Sequence, residues 1–435
     1  MIHLKNNWPT KKLGEICEER KEKNIKNLNL PVYTVSHIHG LIPYQKIFYK
    51  QVHSKDTRNY KVVKHNDFVF GLPTKDTLPL GYLSLENEIL VSPAYTVFSI
   101  KQKNLLYPRF LFYLFKTEKY KWRIIEIAKA QSATRHGLPL KFTHLENLEI
   151  PLPSLPIQQK IVKVLDTIQS AVEIQEKIIE KTKELKKSLM NLLFHYGLAG
   201  LRVKELMSSR VGELTSSEIE KLELKLKKTE IGEIPEHWEV VRLGEVAIKM
   251  KAGGTPNTSE KKYWNGEISF ALIEDLVNAG KFLTKTNASI TKLGLDNSSS
   301  WIVPKDSIIL SLYATVGKPV INKIPVAITQ NMIGIIPNRE KIESEFLYYA
   351  LENTQINLWK YSDLSVHKHI TTSEAQKIPI PLPPLPEQQE IAEILQTIDQ
   401  KIEIEKRKKE LYEELFKTML NKIMSQEIDV DLLDY

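Results

Sequence analysis

Two stretches of the chain place apolar residues at the alternating four- and three-residue spacing of a coiled-coil helix. One runs from Ile161 to Leu193 and the other from Ile391 to Ile423. An apolar seam of period 3.5 needs a partner helix to bury it, and each stretch is the equivalent of the other, so we predict an antiparallel helix pair. The apolar seam positions are Ile161, Leu165, Ile168, Val172, Ile179, Leu189, Leu193, Ile391, Leu395, Ile398, Ile402, Tyr412, Phe416, Met419 and Ile423.

Polar residues interrupt both seams near the middle. Each core span is 33 residues long, which corresponds to roughly 50 Å of helix and could hold two domains at a fixed separation. In an antiparallel pair the polar positions would meet one another and help to set the register, although a solvated stretch is an equally acceptable interpretation. These positions are Gln175, Thr182, Lys186, Glu405 and Lys409.

Outside the two helices the pattern changes to short β-branched and aromatic runs broken by Gly, Pro and Asn. Residues 95–100, 307–312 and 332–336 are examples, and such runs are typical of strands. We therefore predict an α+β fold in which two globular α+β domains alternate with two long helices. The predicted segments are a first domain 1–153, a first helix 154–200, a linker 201–237, a second domain 238–383, a second helix 384–425 and a C-terminal tail 426–435.

The chain repeats itself at a constant offset of 230, so that Ile150 corresponds to Ile380. The proline-rich segment 150–159 returns as 380–389, and 10 of the 16 positions from 150 to 165 are identical in the second copy. With antiparallel helices, such a duplication creates a pseudo-twofold axis within one chain. The same offset also relates the residues that open each copy, which are Trp8, Leu13, Gly14 and Glu15 and then Trp238, Leu243, Gly244 and Glu245.

This internal symmetry points to a class of partner. DNA-binding proteins normally obtain a twofold axis by dimerising, and their half-sites lie about one helical turn, or roughly 34 Å, apart. Two different domains on a rigid spacer would instead read a split, asymmetric sequence. The duplication therefore favours a protein that recognises double-stranded DNA.

Composition narrows the protein class. With 42% hydrophobic and 26% charged residues, the 435-residue chain has the profile of a globular protein with two or three domains. The single cysteine, Cys17, excludes a disulfide framework and paired-cysteine metal sites, and it fits a reducing compartment. Neither an apolar leader nor an 18-residue apolar stretch occurs, so we expect a cytoplasmic protein without a membrane partner.

The positive charge is concentrated in the first domain. The chain carries a net charge of +8, and residues 1–153 hold 24 Lys and Arg against 13 Asp and Glu. Such an excess suggests a polyanionic partner, because lysine and arginine gain affinity by releasing counterions from phosphates, although a heat-adapted composition would also be rich in lysine. Residues 220–383 hold 20 basic and 19 acidic residues, so the second domain is almost neutral.

Two variable domains that alternate with two similar helical regions resemble the specificity subunits of type I restriction-modification enzymes, over essentially the full chain. The resemblance implies a non-catalytic subunit whose two target-recognition domains each read one half of a bipartite, asymmetric DNA site, while the helices fix the spacing. The segments that carry the resemblance are 150–159, 380–389, 229–245, 253–256 and 263–266.

The same resemblance implies partners for the chain. These are methyltransferase (modification) subunits that bind S-adenosylmethionine and an ATP-driven restriction or translocase subunit that uses Mg. No cofactor is expected in this chain. The outer faces of helices 157–195 and 387–424 are the surfaces that the resemblance implies for docking the methyltransferase subunits.

Candidate DNA contacts are basic and polar residues in segments with a loop composition. The cationic segments 131–137 and 365–369 correspond by position in the two copies. Arginine can bind guanine O6 and N7 together, and lysine can reach guanine or phosphate, whereas ordinary surface charge is the alternative. The candidates are Lys55, Arg58, Lys61, Thr74, Lys75, Ser132, Thr134, Arg135, His136, Lys251, Thr255, Tyr313, Thr315, Lys318, Ser365, His367, Lys368 and His369.

Two other function classes explain the sequence less well. A coiled-coil scaffold without sequence-specific DNA binding would explain the helices but not the two large domains. A DNA amino-methyltransferase is suggested by the segment 92–95, yet this segment lacks the second proline and no Gly-x-Gly-x-x-Gly loop precedes it. The pairs His37 with His39 and His367 with His369 have no acidic or cysteine cluster at ligand spacing, so no metal is expected.

Overall fold

The chain divides into two compact units in a computed structural model that describes residues 8–46, 56–85, 87–130, 137–201, 225–312, 317–354 and 370–430. Unit 1 consists of Met1–Glu176 and Arg407–Tyr435, and unit 2 consists of Lys177–Lys406. These units differ from the predicted sequence segments. Each contains one globular domain together with parts of both long helices, because the domain packs against both.

The two long helices follow the proline-rich segments. The first long helix spans Leu155–Tyr196 and the second spans Leu385–Met424. Pro156 and Pro386 lie in the first turns, where the missing N–H group would have had no partner within the helix. The prolines therefore mark where each helix begins.

A buried glutamine ties the start of the first long helix to its globular domain. The side chain of Gln158 is fully buried. Its Nε2 donates to the Leu105 and Pro153 carbonyls at 2.8 and 2.7 Å, and its Oε1 accepts from the Tyr107 N–H at 2.7 Å. Gln388 makes the equivalent bonds in unit 2. The repeated glutamine thus orients each helix against its own domain.

The globular part of unit 1 consists of short strands and helices. Its helices are α1 (Leu13–Ile16), α2 (Pro108–Lys116), α3 (Glu118–Lys129) and α4 (Phe142–Leu145), with a 3-10 turn at Tyr44–Lys46. Its strands are β1 (Thr10–Lys12), β2 (Cys17–Glu19), β3 (Tyr33–Ser36), β4 (Gly40–Pro43), β5 (Lys61–Val63), β6 (Phe68–Phe70), β7 (Leu80–Tyr82), β8 (Ile89–Val91), β9 (Thr96–Ile100) and β10 (Glu149–Pro151).

An antiparallel sheet with the order β2-β9-β6-β7 forms the centre of unit 1. Its aromatic face, which includes the stacked rings of Phe68 and Phe98 at 5.1 Å, packs against α2. Strands β3 and β4 form a hairpin, and β5 pairs with β8. Strand β1 pairs with β10, so the beginning and the end of the domain are joined just before the first long helix.

Unit 2 has more strands. Its short helices are α5 (Ile273–Asn278), α6 (Lys292–Asp296), α7 (Ser344–Thr354) and α8 (Thr372–Gln376), with 3-10 turns at Gly197–Ala199, Leu243–Val246 and Lys261–Tyr263. Its strands are β11 (Leu226–Thr229), β12 (Gly232–Pro235), β13 (Glu239–Arg242), β14 (Ala247–Ala252), β15 (Trp264–Ala271), β16 (Phe282–Leu283), β17 (Ala288–Ile290), β18 (Ile302–Val303), β19 (Ile308–Ser311), β20 (Pro319–Asn322), β21 (Val326–Ile328), β22 (Met332–Pro337) and β23 (Pro379–Leu382).

Two sheets form the globular part of unit 2. One has the order β14-β22-β19-β20-β16, and the other has the order β17-β15-β21-β18. Strand β13 pairs with β23, as β1 pairs with β10, and this equivalence agrees with the offset of the sequence repeat. The α+β class, the alternation with long helices and the internal repeat are therefore confirmed.

Each unit contains an antiparallel pair of long-helix segments. In unit 1, Lys409 Nζ lies 3.1 Å from Glu176 Oε1, while the later residue Ile423 belongs to the same core as the earlier residue Ile161. In unit 2, Lys186 Nζ lies 2.8 Å from Asp399 Oδ1, and Leu198 N lies 3.4 Å from Glu387 Oε1. Residue numbers rise along one segment as they fall along the other, which confirms antiparallel pairing.

The seam is mostly closed. Of its apolar positions, those that are not fully buried are the half-buried Ile168, Ile398, Phe416 and Met419, and Tyr412. The prediction for Tyr412 is wrong, because its side chain is 36% exposed. Lys409, one turn before it, is itself partly exposed and makes ion pairs with Glu176 and Glu413.

Within each unit, the polar seam lysines pair with carboxylates of the other long helix. Lys186 and Lys409 pair with Asp399 and Glu176, which flank the opposite seam. Thr182 donates to the Ile178 carbonyl of its own helix at 2.7 Å. Two contacts from the seam to its flanks, those of Lys186 and Lys409, therefore join the helices at this register.

Candidate nucleic-acid interface

In unit 1, the loop that follows β6 meets the backbone at the end of a predicted DNA-binding segment. The Leu138 N–H donates to the Pro73 carbonyl at 2.8 Å. Gly137 has φ +136°, and a Cβ added there would lie 3.0 Å from Pro73 O. Thr74 and Lys75 therefore follow directly on a residue that contacts Gly137, the last residue of segment 131–137.

The β3–β4 hairpin adds two histidines to this edge. A Cβ added at Gly81 would lie 2.6 Å from Leu41 Cγ, which places the hairpin against β7. His37 and His39 in its turn are exposed and line a groove of about 930 Å³ together with Asp76 and Thr77. We call residues 37–39, 73–77 and 137–138 the first loop edge.

In unit 2, three chain segments meet beyond the end of β19. The Ile370 N–H donates to the Leu312 carbonyl at 3.3 Å, and the Leu312 N–H donates to the Asn331 carbonyl at 2.9 Å. Ile370 is the residue just after the second predicted DNA-binding segment, 365–369. Ile370 therefore bonds to the residue that begins the loop after β19, as Leu138 bonds to the loop after β6 in unit 1.

A glycine pair brings Thr255 to the same place. The Gly254 N–H donates to the Ile328 carbonyl at 3.0 Å, and Thr255 Oγ1 donates a hydrogen bond to Gln330 Oε1. Gln330 is exposed in the turn between β21 and β22. We call residues 254–255, 329–331, 312 and 370 the second loop edge.

The two loop edges occupy corresponding places in the two domains. Each lies beyond a buried central strand, β6 or β19, that follows a residue with positive φ, Asn66 at 67° or Asp306 at 60°. Turns with φ above zero favour Asn and Asp because their short polar side chains bond locally. The repeat thus presents two different sets of side chains from one kind of scaffold.

A family model described as type I restriction modification DNA specificity domain matches residues 5–184 and 235–414. The chain belongs to this family. The two matched regions are the two copies of the repeat, and together they cover most of the chain.

Named relatives agree with this membership. A putative type I restriction enzyme MjaX specificity subunit of Methanocaldococcus jannaschii is 32% identical over 75% of this chain and 70% of its own length. The type I restriction enzyme MjaVIII specificity subunit of the same organism is 28% identical over 100% of this chain and 96% of its own length. The similarity thus extends beyond the domains to both helices.

Solved structures share the fold. An S subunit of a type I restriction-modification system from M. genitalium has a TM-score of 0.54 and 15% identity, and 97% of each chain is covered. A chain from work on complex assembly and conformational transition of the type I R-M system has a TM-score of 0.54 and 18% identity over 98% of this chain and 100% of its own. The type I specificity fold is thus retained at low sequence identity.

In this member of the type I specificity family, some predicted contact residues have other roles. Lys318 Nζ donates to the Val277 and Ala279 carbonyls at 2.9 Å each and also to the Leu276 carbonyl. These bonds use all three ammonium donors at the C-terminal end of α5, and burial lowers the pKa of Lys318. Lys318 therefore caps a helix, and a DNA contact at this residue stays a prediction.

Lys61 is also engaged inside its domain. Its Nζ donates to the Tyr95 carbonyl at 2.7 Å, and its side chain is 17% exposed. Burial lowers the pKa of this ammonium. The contact holds β5 against the Tyr95 turn, and a DNA contact at Lys61 likewise stays a prediction.

Other candidates remain exposed. The Arg58 guanidinium is held by the Asp56 carboxylate, with Arg58 Nη2 to Asp56 Oδ2 at 2.6 Å, and these hydrogen bonds lower the pKa of Asp56 to about 2. Lys75 and Lys251 are exposed. The candidates that lie outside the described residues are Lys55, Ser132, Thr134, Arg135, His136, Tyr313, Thr315, Ser365, His367, Lys368 and His369.

Sequence reasoning missed three residues beside the second loop edge. Gln330 bonds to Thr255, Lys249 Nζ lies 4.3 Å from the Trp301 ring centroid, and Trp301 Nε1 donates to the Lys251 carbonyl at 3.2 Å. The alternation of Lys249 and Lys251 on a strand that leads into Gly-Gly-Thr was the available signal. The position of Gln330 depends on a contact with a residue far away in the sequence, which no local pattern reports.

Over the part of the chain that the structure describes, no group of three or more His, Cys, Asp or Glu side chains is arranged to hold a metal ion. Within the same ranges, no helix is both long enough and apolar enough to span a membrane.

Proposed function

We propose that this chain is the DNA-sequence-specificity subunit of a type I restriction-modification complex and that each loop edge contacts one half of a bipartite, asymmetric site. The observation that carries the proposal is that the residues just after the two predicted DNA-binding segments, Leu138 and Ile370, bond to corresponding loops in two different domains. A non-catalytic role follows, because the family is one of DNA specificity and the chemistry belongs to its partners.

The side chains at the two edges suit different contacts. The first loop edge offers Lys75, His37 and His39, and its domain has the larger excess of positive charge, which favours phosphate contacts. The second loop edge offers the hydroxyl of Thr255 and the amide of Gln330, groups that can bond base edges in a groove. The almost neutral second domain therefore relies more on groove contacts.

The long helices serve as the spacer in this proposal. They contain 42 and 40 residues, or about 60 Å of helix each. A continuous helix resists bending far better than a loop does, so a fixed distance between the half-sites follows from helix length. We propose that changing this length changes the gap in the recognised sequence.

Exposed apolar residues recur on the long helices at the repeat offset and mark the proposed docking surfaces for methyltransferase subunits. Ile174 and Ile404 are 57% and 56% exposed, and Leu185 and Leu415 are 39% and 44% exposed. Exposed apolar side chains in a repeated pattern are typical of a protein interface. We propose that S-adenosylmethionine binds to these partners, and that ATP and Mg are used by a restriction or translocase subunit.

A binding selection on randomised duplex DNA, at constant salt and with the co-purified methyltransferase partner, tests the proposal. We expect a bipartite motif with a fixed gap. A single contiguous motif, or no sequence preference, would contradict the proposal and favour a scaffold without sequence-specific DNA binding.

Gln330→Ala should change only one half of the selected motif. A lost base contact costs about 1–3 kcal/mol, which corresponds to about 5- to 150-fold weaker binding at the affected positions. The matched control is Gln389→Ala, an exposed glutamine on the second long helix, which should leave the motif unchanged. Equal loss at both half-sites would argue against a contact confined to the second loop edge.

Leu185→Asp combined with Leu415→Asp should abolish co-purification of the methyltransferase partner. A carboxylate desolvated in an apolar interface costs several kcal/mol. Because both side chains are exposed, thermal unfolding of the chain alone should hardly change. The control is Lys181→Ala, whose side chain is 77% exposed and pairs within its own helix. Normal co-purification of the double variant would place the docking surface elsewhere.

A further inference from the structure

The polar seam residue Lys186 holds a network of charged and aromatic side chains in unit 2. Its Nζ lies 2.8 Å from Glu352 Oε2 and 2.8 Å from Asp399 Oδ1. It also lies 5.3 Å from the centroid of the Tyr349 ring. The Lys186 side chain is 15% exposed, so its charge is largely removed from water and is balanced by the two carboxylates.

The network joins the globular domain to both long helices within unit 2. Glu352 and Tyr349 belong to α7, Lys186 lies on the first long helix and Asp399 lies on the second. The Tyr349 hydroxyl donates to Asp399 Oδ2 at 2.7 Å. Lys186 therefore sits where three helices meet.

The corresponding place in unit 1 has different chemistry. The repeat offset puts Phe416 at the position of Lys186 and Gln169 at the position of Asp399. Helix α2, aligned on α7 through Phe110 and Phe346, puts Lys116 at the position of Glu352 and Tyr113 at that of Tyr349.

These residues of unit 1 also lie together. The Phe416 and Tyr113 rings are 5.8 Å apart, and both line one groove with Gln169 and Lys116. Unit 2 thus accepts a lysine between two carboxylates, whereas unit 1 accepts a phenylalanine beside an amide and a lysine.

The two places are not interchangeable. A lysine at the Phe416 position would share one groove with Lys116 and would find the Gln169 amide where Lys186 finds Asp399. The carboxylate beside Tyr113, that of Asp166, is already paired with Arg109. A phenylalanine at the Lys186 position would leave Glu352 and Asp399 close together without their cation, and breaking such a partly buried pair is strongly destabilising. The first domain therefore fits the end of the second long helix that carries Phe416, and the second domain fits the end of the first long helix that carries Lys186.

We call the first domain with the first long helix the first half of the chain, and the second domain with the second long helix the second half. We infer that Lys186 and Phe416 together determine which halves associate: a first half associates with a second half rather than with another first half. Two like first halves would place Lys186 against Lys116, and two like second halves would place Phe416 between two carboxylates. The inference concerns partner choice by the helices, and it stands independently of DNA binding.

The test converts the acceptor site of unit 2 into that of unit 1 in the full chain. Lys186→Phe alone should lower the thermal unfolding midpoint by about 5–10 °C. The triple variant Lys186→Phe, Glu352→Lys, Asp399→Gln should recover most of this loss. Lys181→Phe, an exposed position on the same helix, is the control and should cause little change. A triple variant no more stable than Lys186→Phe would overturn the inference.

Partner choice is measured on chains cut at a protease site inserted between residues 201 and 225, then unfolded in denaturant and refolded together so that the fragments can choose partners. In the wild type, native mass spectrometry should show first-half fragments bound to second-half fragments. In the triple variant, like-with-like pairs should increase at least about tenfold, which corresponds to about 1.4 kcal/mol. Equal amounts of like pairs in the wild type and the triple variant would also overturn the inference.

Discussion

Gln388→Ala is expected to lower the free energy of unfolding of unit 2 by about 3–5 kcal/mol, because it leaves three backbone groups without their partner. The side chain is fully buried. Its Nε2 donates to the Lys341 and Pro383 carbonyls at 3.0 and 2.8 Å, and its Oε1 accepts from the Glu343 N–H at 2.8 Å. Alanine can replace none of these bonds.

Chemical denaturation of the full chain, followed by a probe in the second domain, measures this effect. The neighbouring glutamine supplies the control, since Gln389 is exposed and its replacement by alanine should change stability by less than about 0.5 kcal/mol. Gln158→Ala should produce the same loss in unit 1. If the variants at 388 and 389 were equally stable, the buried glutamine would not be what holds the helix to the domain.

Gly253→Ala is expected to lower the free energy of unfolding of unit 2 by at least as much, about 4 kcal/mol or more. A Cβ at this position would lie 2.0 Å from Ile328 O and 2.5 Å from Thr329 O. Both atoms are backbone, so no side chain can rotate away to make room. Strand β21, which contains Ile328, and the Gly-Gly-Thr segment 253–255 must separate. Thr255 would then no longer lie against Gln330.

The matched control is Gly280→Ala. A Cβ at Gly280 would meet nothing within 4 Å, and alanine there should be neutral or stabilising by up to about 1 kcal/mol through the unfolded chain. Thermal unfolding distinguishes the two variants. In a DNA selection, Gly253→Ala should lose the second half of the motif and keep the first, whereas loss of both halves would argue that the two edges are coupled.

The architecture was accessible from sequence because its signals are long-range patterns that do not depend on individual contacts. The repeat, the proline-marked helix starts and the heptad spacing each extend over many positions, so one exception such as Tyr412 did not disturb the prediction. The buried role of the repeated glutamine was not visible, because its partners Tyr107 and Glu343 lie much earlier in the chain, before the proline-rich segments.

Individual site residues were less accessible. Lys318 has the residue type and the position expected of a phosphate ligand, yet it caps α5, which lies well before it in the sequence. The difference between Lys318 and Lys75 is the presence of carbonyl groups that the fold brings to one of them. The residues around a lysine in the sequence do not show whether the fold will bring carbonyl groups to it. Local composition does indicate the loop segments in which DNA contacts are expected.

The composition of unit 1 has a consequence for synthesis of the chain. Its core includes Leu420, Ile423 and Val430, which the ribosome adds after all of unit 2, the continuous segment Lys177–Lys406. The first domain must therefore wait until the residues from Arg407 onward have been made before its core can close. A product that terminates early near residue 406 would retain a complete unit 2 and an open unit 1, with apolar surface available to chaperones and proteases.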